Sequence, residues 1–430
     1  MLVFSVVWAG QLVSKLGSGL TSFAVGIWIY KTTGSATLFA VNLLIWTLPN
    51  IALSPVAGVL ADRWDRRLVM IMSDSGAALS SLFVVWMLLG GDLQVWQVYM
   101  ATFFNSAFSV FQWPAYSAAT SLLVPKEQLG RAGGMTQIGQ AISELASPVV
   151  AGALFVTVGL KTILMIDILS YLAALATLAA VRFPRPAVSE EGQASKGSFL
   201  KEAFYGWDYI RKRTGLFGLL IVFASMNFLM SLVYPLLTPM LLDMTTPEIV
   251  GLVASIGGLG MLAGTLIMSA WGGPKRRLYG IFAAELLVGI SIFLTGLSPY
   301  IPLIAVAGMG MMLALPISSA CSQAIWQSKV AQDMQGRVFS IRSMIAFSIL
   351  PLAYMVSGPL AEKVFEPAMS VGGRLAPIFG PLIGVGAGRG IGLMYVLCGM
   401  FYILVTVVLL IQPRIRSLEV ELPDAVSAMS

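Results

Sequence analysis

The chain contains no histidine, only two cysteines and few charged residues, and each shortage removes a class of function. Without histidine, the side chain that most often serves as general acid, general base or metal ligand near neutral pH is missing. Cys321 and Cys398 lie far apart in apolar runs, so neither a disulfide framework nor a redox pair is expected. No Gly-x-x-x-x-Gly-Lys-Ser/Thr loop occurs, which argues against direct ATP drive by this chain. Gly258-Leu259-Gly260-Met261-Leu262-Ala263 matches a dinucleotide fingerprint in form, but it sits inside an apolar span with no strand before it. No cofactor, metal ion or catalytic constellation is therefore expected, and a membrane-embedded enzyme or receptor stands only as the alternative from another class.

Charge is scarce as well. Charged residues make up 11% of the chain against 57% hydrophobic, and the mean hydropathy is +0.86. A soluble domain carries about a quarter charged residues, so a water-soluble protein is excluded. The net charge of +6 could suggest nucleic acid. In a membrane protein, however, what matters is where the charges lie, and no nucleic-acid partner is expected.

What is abundant is apolar sequence. Nothing ionises over 32–61, 93–125, 214–242, 249–274 or 390–413. Each run exceeds the roughly 20 residues that a bilayer-spanning helix needs. Marking all such segments predicts an all-α integral membrane protein of about twelve spans, including a fourth at about 95–117, a seventh at about 216–241 and an eleventh at about 338–361. The first is too long for a signal-peptide core and has no basic segment before it, so it is expected to remain as a span. With the N-terminus placed in the cytoplasm, twenty of the 26 Lys and Arg residues fall in inner loops and tail. Outer loops hold Lys31, Lys161, Lys363, Arg374 and Arg389, and Lys15 lies within the first span. This bias puts both termini in the cytoplasm of a multi-pass inner-membrane protein.

The longest polar stretch, 183–214, separates two six-span halves, 1–182 and 215–430. Ser189 to Lys196 has nothing to bury and reads as a solvated linker. Phe199, Leu200, Ala203, Phe204, Trp207 and Ile210 then share one helical face bordered by Lys201, Asp208 and Arg211 to Arg213, the pattern of an amphipathic helix on the inner leaflet. The halves echo each other. Gly130-Arg131 before the fifth span recurs 206 residues later as Gly336-Arg337 before the eleventh, and the basic cluster Arg63 to Arg67 recurs as Lys275-Arg276-Arg277. Duplication of this kind builds two parallel six-helix bundles.

The loop Gly58-Val59-Leu60-Ala61-Asp62-Arg63-Trp64-Asp65-Arg66-Arg67 resembles the signature Gly-x-x-x-Asp-Arg-x-Gly-Arg-Arg of the major facilitator superfamily, with Asp65 where the family usually has glycine. The resemblance implies that Asp62, with Gly58, Arg63, Arg66 and Arg67, gates the transporter by meeting the positive N-terminus of helix 11 near Gly336 and Arg337. The alternative is a basic loop that only sets topology. If the gating role holds, Asp62→Asn shifts the population toward the inward-open state by roughly 0.3 to 2 kcal/mol. Cysteine accessibility at paired cytoplasmic and periplasmic positions measures this, and unchanged accessibility would remove the role. Asp74 and Arg342, near the cytoplasmic ends of helices 3 and 11, are expected to order the same loops.

The fifth span resembles the superfamily's antiporter signature, with Gly134, Ser143, Ser147, Pro148, Ala151 and Gly152 at its positions and three glycines replaced by serine or alanine. Small residues allow close helix approach and proline bends the helix, which suits a sealing interface, although ordinary packing reads the same way. Gln11 to Gly19, Trp113-Pro114-Ala115, Gln335 to Ser340 and Gly388 to Gly392 extend the resemblance to the macrolide-efflux and enterobactin-exporter-like branch. That branch implies export of a drug, macrolide or siderophore by a monomer, with protons returning. A lysolipid flippase and a solute symporter of the same fold remain open.

Superfamily architecture implies that helices 1, 4, 7 and 10 line the substrate cavity. The candidates are Trp8, Gln11, Ser14, Asn105, Gln112, Trp113, Asn227, Tyr234, Met309, Met312, Ser319 and Gln323. For any single Met or aromatic residue, core packing is the favoured role, and only the collective pattern points to a cavity. Ionisable groups in the membrane are sharper, since a charge at its centre costs roughly 2.5 to 3.5 kcal/mol. Lys15 and Glu144 each lie about 18 Å in, near the middle of a core roughly 30 Å thick. They are expected to pair, either as a fixed structural contact or as the proton-coupling site. Asp167 and Glu285 fall on helices the fold implies are peripheral, where hydrogen-bonded support is expected.

Overall fold

A computed structural model describes residues 2–91, 93–124, 129–181, 210–330 and 335–412. All regular structure among them is helical: α1 (Leu2–Thr33), α2 (Ala36–Arg63), α3 (Arg66–Leu89), α4 (Val95–Ser109), α5 (Gln112–Leu123), α6 (Leu129–Thr157), α7 (Gly159–Ala180), α8 (Thr214–Val233), α9 (Leu237–Met244), α10 (Pro247–Trp271), α11 (Arg277–Leu297), α12 (Ile301–Lys329), α13 (Gln335–Ser348), α14 (Leu350–Leu360), α15 (Glu366–Met369), α16 (Ala376–Ile383) and α17 (Arg389–Ile411). The expected interfacial helix at 199–213 lies almost wholly outside the described residues.

Eleven helices among the described residues are long and apolar enough to cross a membrane. The remaining expected span, at 95–117, falls on α4 and α5, which break at Val110 and Phe111. Pro114 explains the break, because it has no N–H to give the preceding turn and its ring crowds the carbonyl four residues back. Ser73 Oγ donates to the Phe108 carbonyl at 2.6 Å beside this break. The eleventh span also differs from its expected range. α13 yields to α14 at Ile349, two residues before Pro351, and the helix then runs through a π-helical turn, Ala361–Phe365, to Met369. The stretch 362–390, which holds the expected outer-loop residues Lys363, Arg374 and Arg389, is therefore helical at its start and again in α16, seated on a core of Met369, Ile383, Leu393 and Val396.

Local chemistry sets the helix ends. Ser35 Oγ accepts the Leu38 N–H at 3.1 Å and starts α2. Asp65 caps α3, accepting the N–H groups of Arg67 at 2.9 Å and Leu68 at 3.4 Å, which explains a carboxylate where the signature has glycine. Arg67 Nε and Nη2 donate to the carbonyls of Leu178 and Ala179, both at 2.7 Å, and so close the C-terminal end of α7. Asp65→Ala is expected to cost about 1 kcal/mol and Asp65→Gly only a few tenths. Thermal melts of the purified protein check the order wild type, Gly, Ala.

The chain forms two compact units, Met1–Val188 with Thr245–Ser255, and Ser189–Met244 with Ile256–Ser430. In the first, α1 packs on α6 and α7, and α3 packs on α4, α5 and α7. Thr245–Ser255 joins it because the first turns of α10 meet α6 at very short range: a Cβ on Gly152 would lie 2.6 Å from the Pro247 carbonyl oxygen, and one on Gly251 2.3 Å from that of Pro148. In the second unit α11 packs between α12 and α17, and α8 packs on α13, α14 and α17.

Candidate functional site

In the first unit, α1 and α6 are joined along their length. Trp8 Nε1 donates to the Met135 carbonyl at 2.9 Å. Ser143 Oγ donates to the Lys15 carbonyl at 3.1 Å and Ser147 Oγ to the Leu16 carbonyl at 3.4 Å. The serines that replace signature glycines therefore fix the register of α6 against α1. Ala151 is fully buried on the same helix, and Pro148 and Gly152 face the start of α10, where Ser255 Oγ donates to the Leu145 carbonyl at 2.6 Å.

That register sets Lys15 beside Glu144, with a residue between them that charge alone does not reveal. Lys15 Nζ donates to Gln140 Oε1 at 2.8 Å, and Gln140 Nε2 donates to Glu144 Oε1 at 2.7 Å. Gln140 thus bridges cation and carboxylate, in place of the direct pairing expected. The ammonium also stands 5.3 Å from the ring centre of Trp113, within cation–π range. Lys15 is half-buried, whereas Glu144 and Trp113 are exposed in this unit.

A second polar cluster lies deeper. Gln11 Nε2 donates to Asp74 Oδ2 at 2.9 Å, and Gln112 Nε2 donates to Gln11 Oε1 at 2.6 Å. Two expected cavity residues and one expected gating residue thus form one chain across α1, α3 and α5, with Asp74 only 4% exposed. Ser18 Oγ reaches the Ser14 carbonyl at 2.9 Å and the Tyr171 hydroxyl at 3.0 Å, and Asn105 Nδ2 also donates to that hydroxyl at 3.3 Å. Asp167, expected to be peripheral, is fully buried, with Ser81 Oγ donating to it at 2.8 Å. Its place between α1, α3 and α7 could not be read from a single residue's position in an apolar run.

In the second unit, Arg342 ties α13 to α12. Its Nη1 donates to Gln323 Oε1 at 2.9 Å, its Nη2 to Ser322 Oγ at 3.1 Å, and its guanidinium lies 5.2 Å from the Trp326 ring centre. Glu285 is buried and accepts from the hydroxyls of Ser318 and Tyr402, joining α11, α12 and α17. Met309 and Met312 lie on the α12 face that packs against α10, at Gly260 and Gly257. Asn227 is half-buried on α8, while Tyr234 and Ser319 are exposed. Arg66 is half-buried at the start of α3. Gly58, Asp62 and Arg63 belong to α2, Gly134 to α6, and Gly336 and Arg337 to α13, but their side chains lie outside the described residues.

A family profile described as Major Facilitator Superfamily matches residues 7–353. Macrolide efflux protein A of Streptococcus pyogenes is 32% identical over 370 residues, covering 84% of this chain and 90% of its own length. The multidrug efflux pump Tap of Mycolicibacterium fortuitum is 24% identical over 84% of this chain and 88% of its own. Among solved structures, a bacterial homologue of the human lysosomal transporter Spinster, inward-facing and unoccupied, aligns with a TM-score of 0.66 at 13% identity over 94% of this chain and 96% of that one. That last likeness concerns the fold.

Proposed function

Because the chain belongs to the major facilitator superfamily, we propose that it exports amphipathic drugs, macrolides among them, from the cytoplasm in exchange for protons. The similarity to macrolide and multidrug efflux proteins over most of their length supports the substrate class. The observation that carries the coupling is the chain Lys15–Gln140–Glu144 beside Trp113. An exposed indole offers an apolar face to an amphipathic ligand. The lysine under it is linked through one neutral amide to a carboxylate that can take a proton.

In this reading, the outward-open conformation left after drug release separates Lys15 from Gln140, and Glu144, without its link to the cation, takes up a proton from outside. In the inward-open conformation a drug arriving at Trp113 lets Lys15 return to Gln140, and the restored bridge releases the proton to the cytoplasm. The protein works as a monomer in the inner membrane, with both termini in the cytoplasm and two six-span halves alternating access. Neither a cofactor nor a metal has a part in it. Macrolide accumulation in cells expressing the chain tests this function. The expected result is lower accumulation than in control cells, with the difference abolished by a protonophore. Equal accumulation with and without expression would refute drug export, and a difference that survives the protonophore would refute proton drive.

A further inference from the structure

The second unit carries a cavity that export through Lys15 and Glu144 does not use. It lies where α10 turns into α11, has a volume of about 320 Å³, and is lined by Thr265, Met268, Ser269, Gly272, Arg277 and Pro316 among others. The turn depends on Gly272 and Gly273, whose φ angles of +73° and +86° fall where side-chain-bearing residues are strained. Arg277 Nη1 donates back to the Gly272 carbonyl, so the turn itself holds the guanidinium in the cavity wall. Lys275 and Arg276 are exposed next to it. Lys275, Arg276 and Arg277 are thus three successive cations at this turn.

The surroundings place this charge at a membrane surface. The cavity lies at the adjoining ends of two spans, Pro247–Trp271 and Arg277–Leu297. Trp271 is 60% exposed and Tyr279, with Arg276 6.0 Å from its ring centre, is 37% exposed. Exposed aromatic residues at span ends mark the headgroup level of a bilayer. Met268 and Pro316 give apolar walls, while Thr265 and Ser269 bring hydroxyls whose protons now rest on carbonyls of their own helix, each at 2.9 Å, and can rotate outward. Clustered cations, hydroxyls and an apolar wall at headgroup level are the chemistry that receives a lipid phosphate.

We propose that this cavity seats the phosphate headgroup of an anionic phospholipid, with Lys275, Arg276 and Arg277 supplying the charge and Ser269 lining the seat. The test is native mass spectrometry of the intact protein after exchange in mixed vesicles of phosphatidylglycerol and phosphatidylcholine. Wild type is expected to retain phosphatidylglycerol preferentially. The double variant Lys275→Ala/Arg276→Ala is expected to lower that preference by about 30-fold, the scale of two basic residues at a membrane surface. Ser269→Leu fills the cavity without changing charge and is expected to lower it too, and thermal melts verify that both variants are folded. Inorganic phosphate in excess is expected not to displace the lipid. Equal retention of the two lipids by wild type would overturn the proposal without needing any variant. Undiminished preference in folded Ser269→Leu would overturn it by showing that the cavity is not the seat. Displacement by inorganic phosphate would replace it with a free-phosphate site.

Discussion

Glu144→Gln is expected to bind drug as wild type does and to lose export driven by a pH gradient. Glutamine is close in shape to glutamate and can still accept from Gln140 Nε2, the contact that spans 2.7 Å in the native protein. What it cannot do is take up and release a proton. Removing a positioned proton carrier commonly costs about 10² to 10⁴ in rate, so a loss of at least about 10²-fold in gradient-driven export is expected. Equilibrium binding of labelled drug to the purified protein measures binding separately. Lys15→Ala should shift the pH profile of export, because it strands the carboxylate without its cationic partner. Full gradient-driven export by Glu144→Gln would eliminate Glu144 as the carrier and direct attention to the buried carboxylates Asp74 and Asp167.

The same chemical change at two glycines of α10 should have different effects. At Gly251 the added methyl would sit 2.3 Å from the Pro148 carbonyl oxygen and 2.9 Å from its carbon, which are backbone atoms that cannot rotate away. Either α6 or α10 must move, and overpacking of this kind costs about 1 to 3 kcal/mol. At Gly257 the nearest atom is Met312 Cγ at 3.5 Å, an ordinary contact. There alanine gains the helix propensity that glycine lacks, up to about 1 kcal/mol. Thermal melts in detergent should therefore show Gly251→Ala destabilised and Gly257→Ala unchanged or stabilised. A displaced α6 also carries Ser143 and Ser147 out of register with α1, so Gly251→Ala should lose export beyond what its stability alone explains. Matching melts for the two variants would contradict the packing described.

Much of this arrangement was legible in the residues, and what was not has physical reasons. Long charge-free runs reveal spans because the bilayer tolerates little else, but run length cannot see a break such as that at Val110, where Pro114 divides one apolar segment into two helices. The loop signature pointed to Asp62 and drew attention to Asp65, while the cap that Asp65 forms with Arg67 and Leu68 depends on backbone geometry. Lys15 and Glu144 stood out through charge. Gln140 did not, being neutral, yet its spacing of four residues before Glu144 is a signal for a helix-face partner that could have found it. From the sequence Asp74 reads as a gating residue and Gln11 as a cavity residue, and the fold joins them in one hydrogen bond. Which face of α7 turns inward decides that Asp167 is buried, and an all-apolar helix carries too little periodicity to tell.

The most direct test is simultaneous measurement of proton and macrolide movement in liposomes holding purified protein, under an imposed pH gradient. Wild type should move protons only when the drug is present, in the direction opposite to the drug, and Glu144→Gln should move neither against a gradient while still binding the drug. Drug transport by wild type with no accompanying proton movement would contradict the account.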